Sequence, residues 1–496
     1  MCHSAQPFSL VENAAFREYS HELNSSYKLP CVQNIKSQIV YEAQLVRSAM
    51  KSQIQDIQYG ACICIDIWSS DAQDSYLGID LHFITQDFKL EDLTLCIKPF
   101  EYPHTTTRLA GALNEVFHDF GLHSKATALM TDNGSNMLAL KNHFPNLDLL
   151  RCSIHTLQLS AKSLFESNNG LLTRSRNLVA YFCHSNKQNE ALMNIQQGTR
   201  SGMTAVSYVK DMPVRWSSTC SMLERILELR TSVKALNGTL LNATGESNRE
   251  GLSLQAVLLS DADYAKITLL LGLLDPLAEV STILQATKYV TLSLVYPFIA
   301  ILLHIYEKPI EDEEIDNTRK TILCDLKERW GSPSDSILIA CFLDPRFKNL
   351  QFVNEEQKSH IMDQVRIIYR QEHTKKEQLV LPIQSESKVK LGIFSHFQTQ
   401  PAKKAKEYGE LEKYLEAESI LESTPNFDIL NWWRVNEPMY PHLSVLARRY
   451  LCRMPSTASI EGAFSVAGFI IGVNRCSLDV DIVDDLLVLK RHYRSR

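Results

Sequence analysis

The sequence predicts a mixed α/β domain followed by a long all-α region, with a return to an apolar-rich block at the end of the chain. Three observations carry this. Short apolar runs rich in β-branched residues cluster between residues 61 and 152. Helical periodicity replaces them from about 170 to 450. Apolar text then resumes over the last 45 residues. Strand runs interleaved with helical ones are the order expected of a mixed sheet with packed helices.

Residues 1–57 read as amphipathic helix, with Phe8, Val11, Ala15 and Tyr19, and then Ile39, Ala43 and Val46, at helical spacing. The pattern changes at Ala61. ACICIDIW (61–68), the alternating YLGIDLHFI (76–84) and LTLCIKPF (93–100) read as three strands joined by polar loops. A helix is expected near 107–120, where Leu109, Leu113, Val116 and Phe120 share a face. ATALMT (126–131) is a fourth strand, ended by the turn signal Asp132-Asn133-Gly134. Another helix follows, which Ser135 could cap, and then a short strand over LDLLRC (147–152). The next helix begins near Ile154, with Leu157, Ala161 and Leu164 in register.

Beyond 170, Met222, Ile226 and Val233, and again Leu269, Leu273 and Leu277, keep the helical period. An acidic loop is expected at Glu311 to Asp316, and a surface linker near 384–407 that includes QTQPAKKAK. The last block, AFSVAGFIIG (463–472), leads into a helix from about Asp479. Asp479, Asp481 and Asp484 stand at its start, and Lys490 and Arg491 at its end, as the helix dipole favours.

Composition bounds the function classes. The chain has 496 residues, 45% hydrophobic and 22% charged, with a formal net charge of −6. A small nucleic-acid module is usually basic, so any DNA contact here must come from local patches. Twelve cysteines are scattered without a Cys-x-x-Cys pair, which argues against a zinc finger and for a reducing compartment. No stretch reaches the roughly 20 apolar residues of a membrane helix, so no membrane partner is expected.

Four places carry chemistry. Asp66 sits inside the apolar run CICIDIW, where a lone carboxylate is costly unless it is paired, binds a metal or caps a turn at the strand end. Asp132 closes another strand in LMTDNGSNM, and either serves the turn or joins Asp66 at the sheet edge. Two convergent carboxylates suit Mg2+, and a third would complete a site for in-line phosphoryl transfer. Cys152 and His155 form a Cys-x-x-His spacing that lacks two further ligands for zinc, so a structural pair is the simpler reading. Arg215-Trp216 can hold a phosphate and stack a base, or Trp216 can anchor one helix on another.

In order and in text, these stretches resemble the landmarks of hAT superfamily transposases and of the zinc finger BED domain-containing proteins derived from them. IDIWSS followed by HFIT, LMTDNGSNM, LRCSIHTLQL, PVRWSSTCSMLERI, FLDPRFK (342–348), LNWWRVNEPMYPHLSVLARRYL (430–451) and STASIEGAFSVAG (456–468) cover nearly the whole chain. The resemblance implies an α/β RNase H-like catalytic core interrupted by a long all-α insertion, with a C-terminal hAT dimerisation segment. On that basis 1–57 is an N-terminal helical segment, 58–168 the first part of the core, 169–409 the insertion, and 410–496 the dimerisation segment that completes the core.

It also implies a triad of Asp66, Asp132 and Glu461 that binds Mg2+ and is catalytic if active, with Arg215 and Trp216 on DNA and Cys152 and His155 beside the site. Two functions follow from it. One is a domesticated nuclear protein that self-associates through about 410–496 and acts with DNA or chromatin in transcription regulation. The other is an active cut-and-paste transposase that cleaves and joins strands. Two departures bear on the choice. Gly462 stands where the family has an Arg after the Glu, and no BED finger is evident where the chain begins, so either the finger was lost or the chain is a fragment. Nuclear localisation rests on the resemblance and on the weak import signal PAKKAK.

Overall fold

The computed structural model describes residues 7–70, 73–199, 204–212, 216–379, 409–420, 427–471 and 480–494. After a 3-10 turn, helices α1 (Ala14–Leu23) and α2 (Val32–Gln55) precede strands β1 (Ala61–Ser69), β2 (Ser75–Ile84) and β3 (Leu90–Pro99). Helix α3 (Thr106–Phe120), strand β4 (Ala126–Thr131), the short turn α4 (Ser135–Leu138) and strand β5 (Asp148–Arg151) complete the sheet region. Then come α5 (Ser153–Ser167), α6 (Asn169–Cys183), α7 (Asn186–Thr199), α8 (Trp216–Leu241), α9 (Glu246–Val257), α10 (Asp261–Leu284), α11 (Val295–Glu307), α12 (Glu313–Trp330), α13 (Asp335–Phe342) and α14 (Glu355–Leu379). The chain ends with α15 (Glu410–Glu416), α16 (Ile429–Asn436), α17 (Leu443–Leu451), α18 (Ala458–Ile471) and α19 (Val480–Arg494).

Local chemistry sets several of these bounds. Thr105 caps α3 by accepting the Arg108 N–H, and Gly121, in the left-handed region at φ +67°, ends it. The stripe Ile39, Ala43, Val46, Met50 and Ile54 buries one face of α2. Two expectations are corrected. Ser135 lies inside α4 and caps nothing, and Gly134 holds the cap position. Glu311 to Asp316 is not a loop throughout: Asp312 accepts the Ile315 N–H and starts α12, so Glu313, Glu314 and Asp316 lie in its first turn. Carboxylates there offset the bare N–H groups of the helix start. The stretch 384–407 and Asp479 lie outside the described residues.

The five strands form one sheet in the order β3-β2-β1-β4-β5. β2 runs antiparallel to β1 and β3, whereas β4 is parallel to β1 and β5 parallel to β4. The first three strands therefore make a meander. Helices carry the chain into β4 and β5, as parallel pairing requires.

The chain divides into two compact units. The first comprises residues 1–152, 285–297 and 333–496, and the second 153–284 and 298–332. These bounds differ from 58–168 and 169–409, and side-chain chemistry explains part of the difference. The FLDPRFK segment lies in the first unit, where Trp433 Nε1 donates to the Leu343 carbonyl at 2.9 Å and Tyr414 Oη to the Phe342 carbonyl at 2.9 Å. Ser293 Oγ donates to the fully buried Asp344 at 2.8 Å, which draws 285–297 to the same core. In the second unit, Tyr306 Oη donates to the Leu273 carbonyl at 2.6 Å, and Asn168 Nδ2 to Thr318 Oγ1 at 3.0 Å.

Helix α10 is long and apolar enough, by length and composition, to cross a bilayer, although Asp275 and Pro276 interrupt its apolar run. Half of its most apolar window is buried inside the protein, and Arg174 pairs with its Asp263 at 2.6 Å. A core helix accounts for both.

Candidate active site

Asp66 stands near the end of β1, directly opposite Gly78 on β2. Opposed residues of an antiparallel pair project to the same face, and so does every second residue along each strand. A Cβ placed on Gly78 would meet Ile460 Cγ2 at 2.5 Å and Phe464 Cζ at 2.8 Å, closer than real Cβ atoms approach. The glycine therefore lets α18 lie directly on the sheet, on the Asp66 face. Trp68, two residues beyond Asp66, stacks on Phe464 with centroids 5.9 Å apart and planes at 19°. Ile460 and Phe464 are four apart and form the buried stripe of α18. Glu461 follows Ile460 by about 100° of helix rotation, which turns it out of that stripe to the exposed rim.

The parallel strands bring the second carboxylate to the same end. Cys64 is level with Met130 across β1 and β4, so continuing the register sets Asp132 beside Asp66. Across β4 and β5, Thr131 is level with Arg151, and the next residue, Cys152, donates its N–H to the Thr131 carbonyl at 2.8 Å. Thr457, the residue before α18, ties this edge to the helix. Its hydroxyl lies 3.8 Å from Cys152 Sγ and 3.3 Å from Glu461 Oε1. Asp66, Asp132, Cys152 and Glu461 are thus gathered at one end of the sheet, outside the carboxyl ends of its parallel strands, where α/β folds place their sites.

The two aspartates are each partly held by backbone. Asp66 is 7% exposed, and its Oδ1 accepts the Ile67 N–H at 2.9 Å. Asp132 is half-buried, and its Oδ1 accepts the Gly134 N–H at 2.9 Å, the turn bond that Asp-Asn-Gly predicts. The oxygens of Asp66, Asp132 and Glu461 do not lie mutually within 4.8 Å, and among the described residues only a different trio does. Their donor set is nonetheless all oxygen, with one buried and two more accessible members, which fits a hard cation that keeps several waters. Gly462 is exposed, and a Cβ there would meet nothing within 4 Å, so the space of the family's Arg is open.

Cys152 is buried at the site edge, in the first unit. His155 is half-buried in the first turn of α5, in the second unit. Trp216 begins α8 and is 8% exposed, as a helix anchor is, and Arg215 lies outside the described residues. Thr457 and Gly78 escaped the sequence reading. The break that Gly78 makes in the alternation of YLGIDLHFI was the available signal.

Comparison with known proteins agrees with this layout. Residues 64–155 match the ZBED1 RNase-like domain, 150–253 the ZBED1 RNase-like helical domain, and 410–493 the hAT family C-terminal dimerisation region. The chain thus carries a hAT-type dimerisation region and ZBED1 RNase-like domains, and over most of its length it is similar to proteins named as AC transposases and as zinc finger BED domain-containing proteins. Across 98% of its length it is 24% identical to the "Putative AC transposase" of Zea mays. It is 22% identical, over 98%, to the "Putative transcriptional regulator tpeD" of Talaromyces stipitatus. It is 23% identical, again over 98%, to zinc finger BED domain-containing protein 4 of Homo sapiens. The chain spans 63%, 60% and 42% of the length of those three proteins, respectively.

Proposed function

We propose that this chain is a transposase-derived nuclear protein that self-associates through its C-terminal region and associates with DNA or chromatin in transcription regulation. The observation that carries the reading is the match of residues 410–493 to the hAT dimerisation region, together with relatives named both as transposases and as a transcriptional regulator. A protein of net charge −6 must hold DNA through local basic patches, so its affinity falls with salt in proportion to the few phosphates contacted. Fluorescence anisotropy with duplex DNA across a salt series tests this. A linear fall of log affinity with log salt supports it, and no binding at low salt overturns it.

A second reading, an Mg2+-dependent strand-cleaving transposase, draws support from the β1–β4 register, which runs Asp66 toward Asp132, and from Thr457, whose hydroxyl contacts both Cys152 and Glu461. The strand order β3-β2-β1-β4-β5 supports the RNase H-like reading of the core. Asp66, Asp132 and Glu461 would hold the ion, which supplies Lewis-acid polarisation of a phosphodiester and activation of a water. Thr457 then positions the Glu461 carboxylate, and the buried end of β1 fixes Asp66. Trp216 would have to leave its buried position to stack a displaced base. With supercoiled plasmid and Mg2+ or Mn2+, nicking by the wild type but not by Asp132→Asn supports cleavage. No nicking by either leaves the regulatory reading alone.

A further inference from the structure

Under α18 and α19, on the face that carries Asp66, the sheet buries a second polar cluster that the candidate active site does not use. Asp80 and His82 alternate along β2, and Asp92 on β3 stands directly opposite His82. Asp80 and His82 are 0% exposed, and one ligand atom from each of the three residues lies within 4.8 Å of the others. A strand interior is a costly place for two carboxylates.

The partners supplied by the protein do not satisfy the cluster. Arg491 on α19 reaches Asp92 Oδ2 at 2.5 Å and Asp80 Oδ2 at 3.5 Å, so one guanidinium faces two carboxylates. Oδ1 of Asp92, Nδ1 of His82 and the hydroxyl of Thr94 are buried without a hydrogen-bond partner, and the fully buried Asp80 has only Ser459 and the more distant Arg491 to meet its two oxygens. Burial pushes the Asp80 carboxyl above its ordinary value. Several orphaned lone pairs pointing into one space are rare in native proteins and call for an explanation.

The imidazole geometry narrows the choice. Ser459 Oγ lies 3.4 Å from His82 Nε2. With the proton on Nε2 donated to that hydroxyl, Nδ1 presents a lone pair. It faces Asp92 Oδ1, another acceptor, at 3.8 Å. That separation is too long for a hydrogen bond between them. Two ligands about 2.0–2.1 Å from a shared tetrahedral ion stand about 3.3–3.4 Å apart, a small adjustment from this distance. A ligating His whose second nitrogen is held by a neighbour is the usual arrangement around protein-bound metals.

We propose that Asp80, His82 and Asp92 form a structural binding site for a first-row divalent metal ion, Zn2+ in particular, separate from the Asp66–Asp132–Glu461 edge. One imidazole and two carboxylates form a borderline donor set that suits Zn2+ better than Mg2+, which favours oxygen alone. The ion joins β2 to β3 beneath α19 and enters past Asp92, whose side chain is 23% exposed. The proposal does not depend on the reading of the triad.

The test uses the full chain carrying Asp66→Asn and Asp132→Asn, so that the other site contributes no metal. After loading with Zn2+ alone and exhaustive dialysis, about one equivalent is expected to remain, and Asp92→Ala in the same background is expected to weaken retention at least about tenfold. Retention well below one equivalent, or equal retention in the Asp92→Ala chain, overturns the site. If Asp92→Ala or His82→Gln fails to fold, X-ray absorption at the zinc edge of the parent chain decides. A nitrogen and oxygen shell with imidazole scattering supports it. Absence of imidazole, or a sulfur shell from the neighbouring Cys62 and Cys64, overturns it.

Discussion

Gly78 leaves room for a hydrogen and little more, because Ile460 and Phe464 of α18 occupy the space a side chain would need. Both atoms that Cβ would meet belong to buried core residues. Gly78→Ala is therefore expected to destabilise the protein by about 1–3 kcal/mol through overpacking, read from the denaturant midpoint. Gly462 is the opposite case. It sits in the same helix with open space around it, so Gly462→Ala is expected to stabilise by up to about 1 kcal/mol in the same measurement. At this scale the sequence was legible where chemistry repeats in text. Asp66 and Asp132 announce themselves as carboxylates in or at the end of apolar strands. The role of Thr457 was hidden, because its partners Cys152 and Glu461 meet it only across the fold. The cluster of Asp80, His82 and Asp92 was hidden for the same reason, being split between two strands whose register the sequence does not print.

Helix α19 shows how an element is locked to the sheet. Arg47 of α2 reaches Asp485 at 2.5 Å and Asp484 at 2.8 Å, while Asp484 also accepts the Ile97 N–H of β3 at 2.7 Å. Removing the cation leaves a buried carboxylate without its countercharge, so Arg47→Leu is expected to cost roughly 2–4 kcal/mol at neutral pH, somewhat less than a fully buried pair. Burial already holds the Asp484 carboxyl above its ordinary value, against the opposing pull of the Ile97 N–H and Arg47. A carboxyl raised in the folded state contributes stability that is present below its unfolded pKa and is lost as pH rises through the folded one. Without Arg47 that folded value climbs further. The deficit of Arg47→Leu against wild type should therefore shrink on going from pH 7.5 to about pH 4.5 in paired unfolding curves.

The elements themselves were largely legible. ATALMT is β4 residue for residue, and the helix expected near 107–120 is α3. Glu311 to Asp316 was misjudged because a dense acidic run marks a helix start as readily as a loop, and only the Asp312 cap distinguishes them.

At the scale of the whole molecule, local pattern places helices but not the unit to which each belongs. The assignment of 285–297 and 333–379 to the unit that contains the sheet depends on contacts such as Ser293 with Asp344 and Trp433 with Leu343, all distant in sequence. The match of 410–493 to a dimerisation region leads to a prediction of self-association. Light scattering at micromolar concentration is expected to give at least twice the 56.4 kDa of the chain, and a monomer there contradicts it.

The strand-cleaving reading turns on whether residues 66, 132 and 461 serve one metal ion. Thermal unfolding with and without millimolar Mg2+ tests it without requiring catalysis, since a ligand that binds only the folded state raises Tm. Mg2+ should raise the Tm of the wild type and of Asp92→Ala alike, and the shift should vanish in Asp66→Asn, in Asp132→Asn and in Glu461→Gln. A full shift in Glu461→Gln would remove α18 from the site and contradict the account.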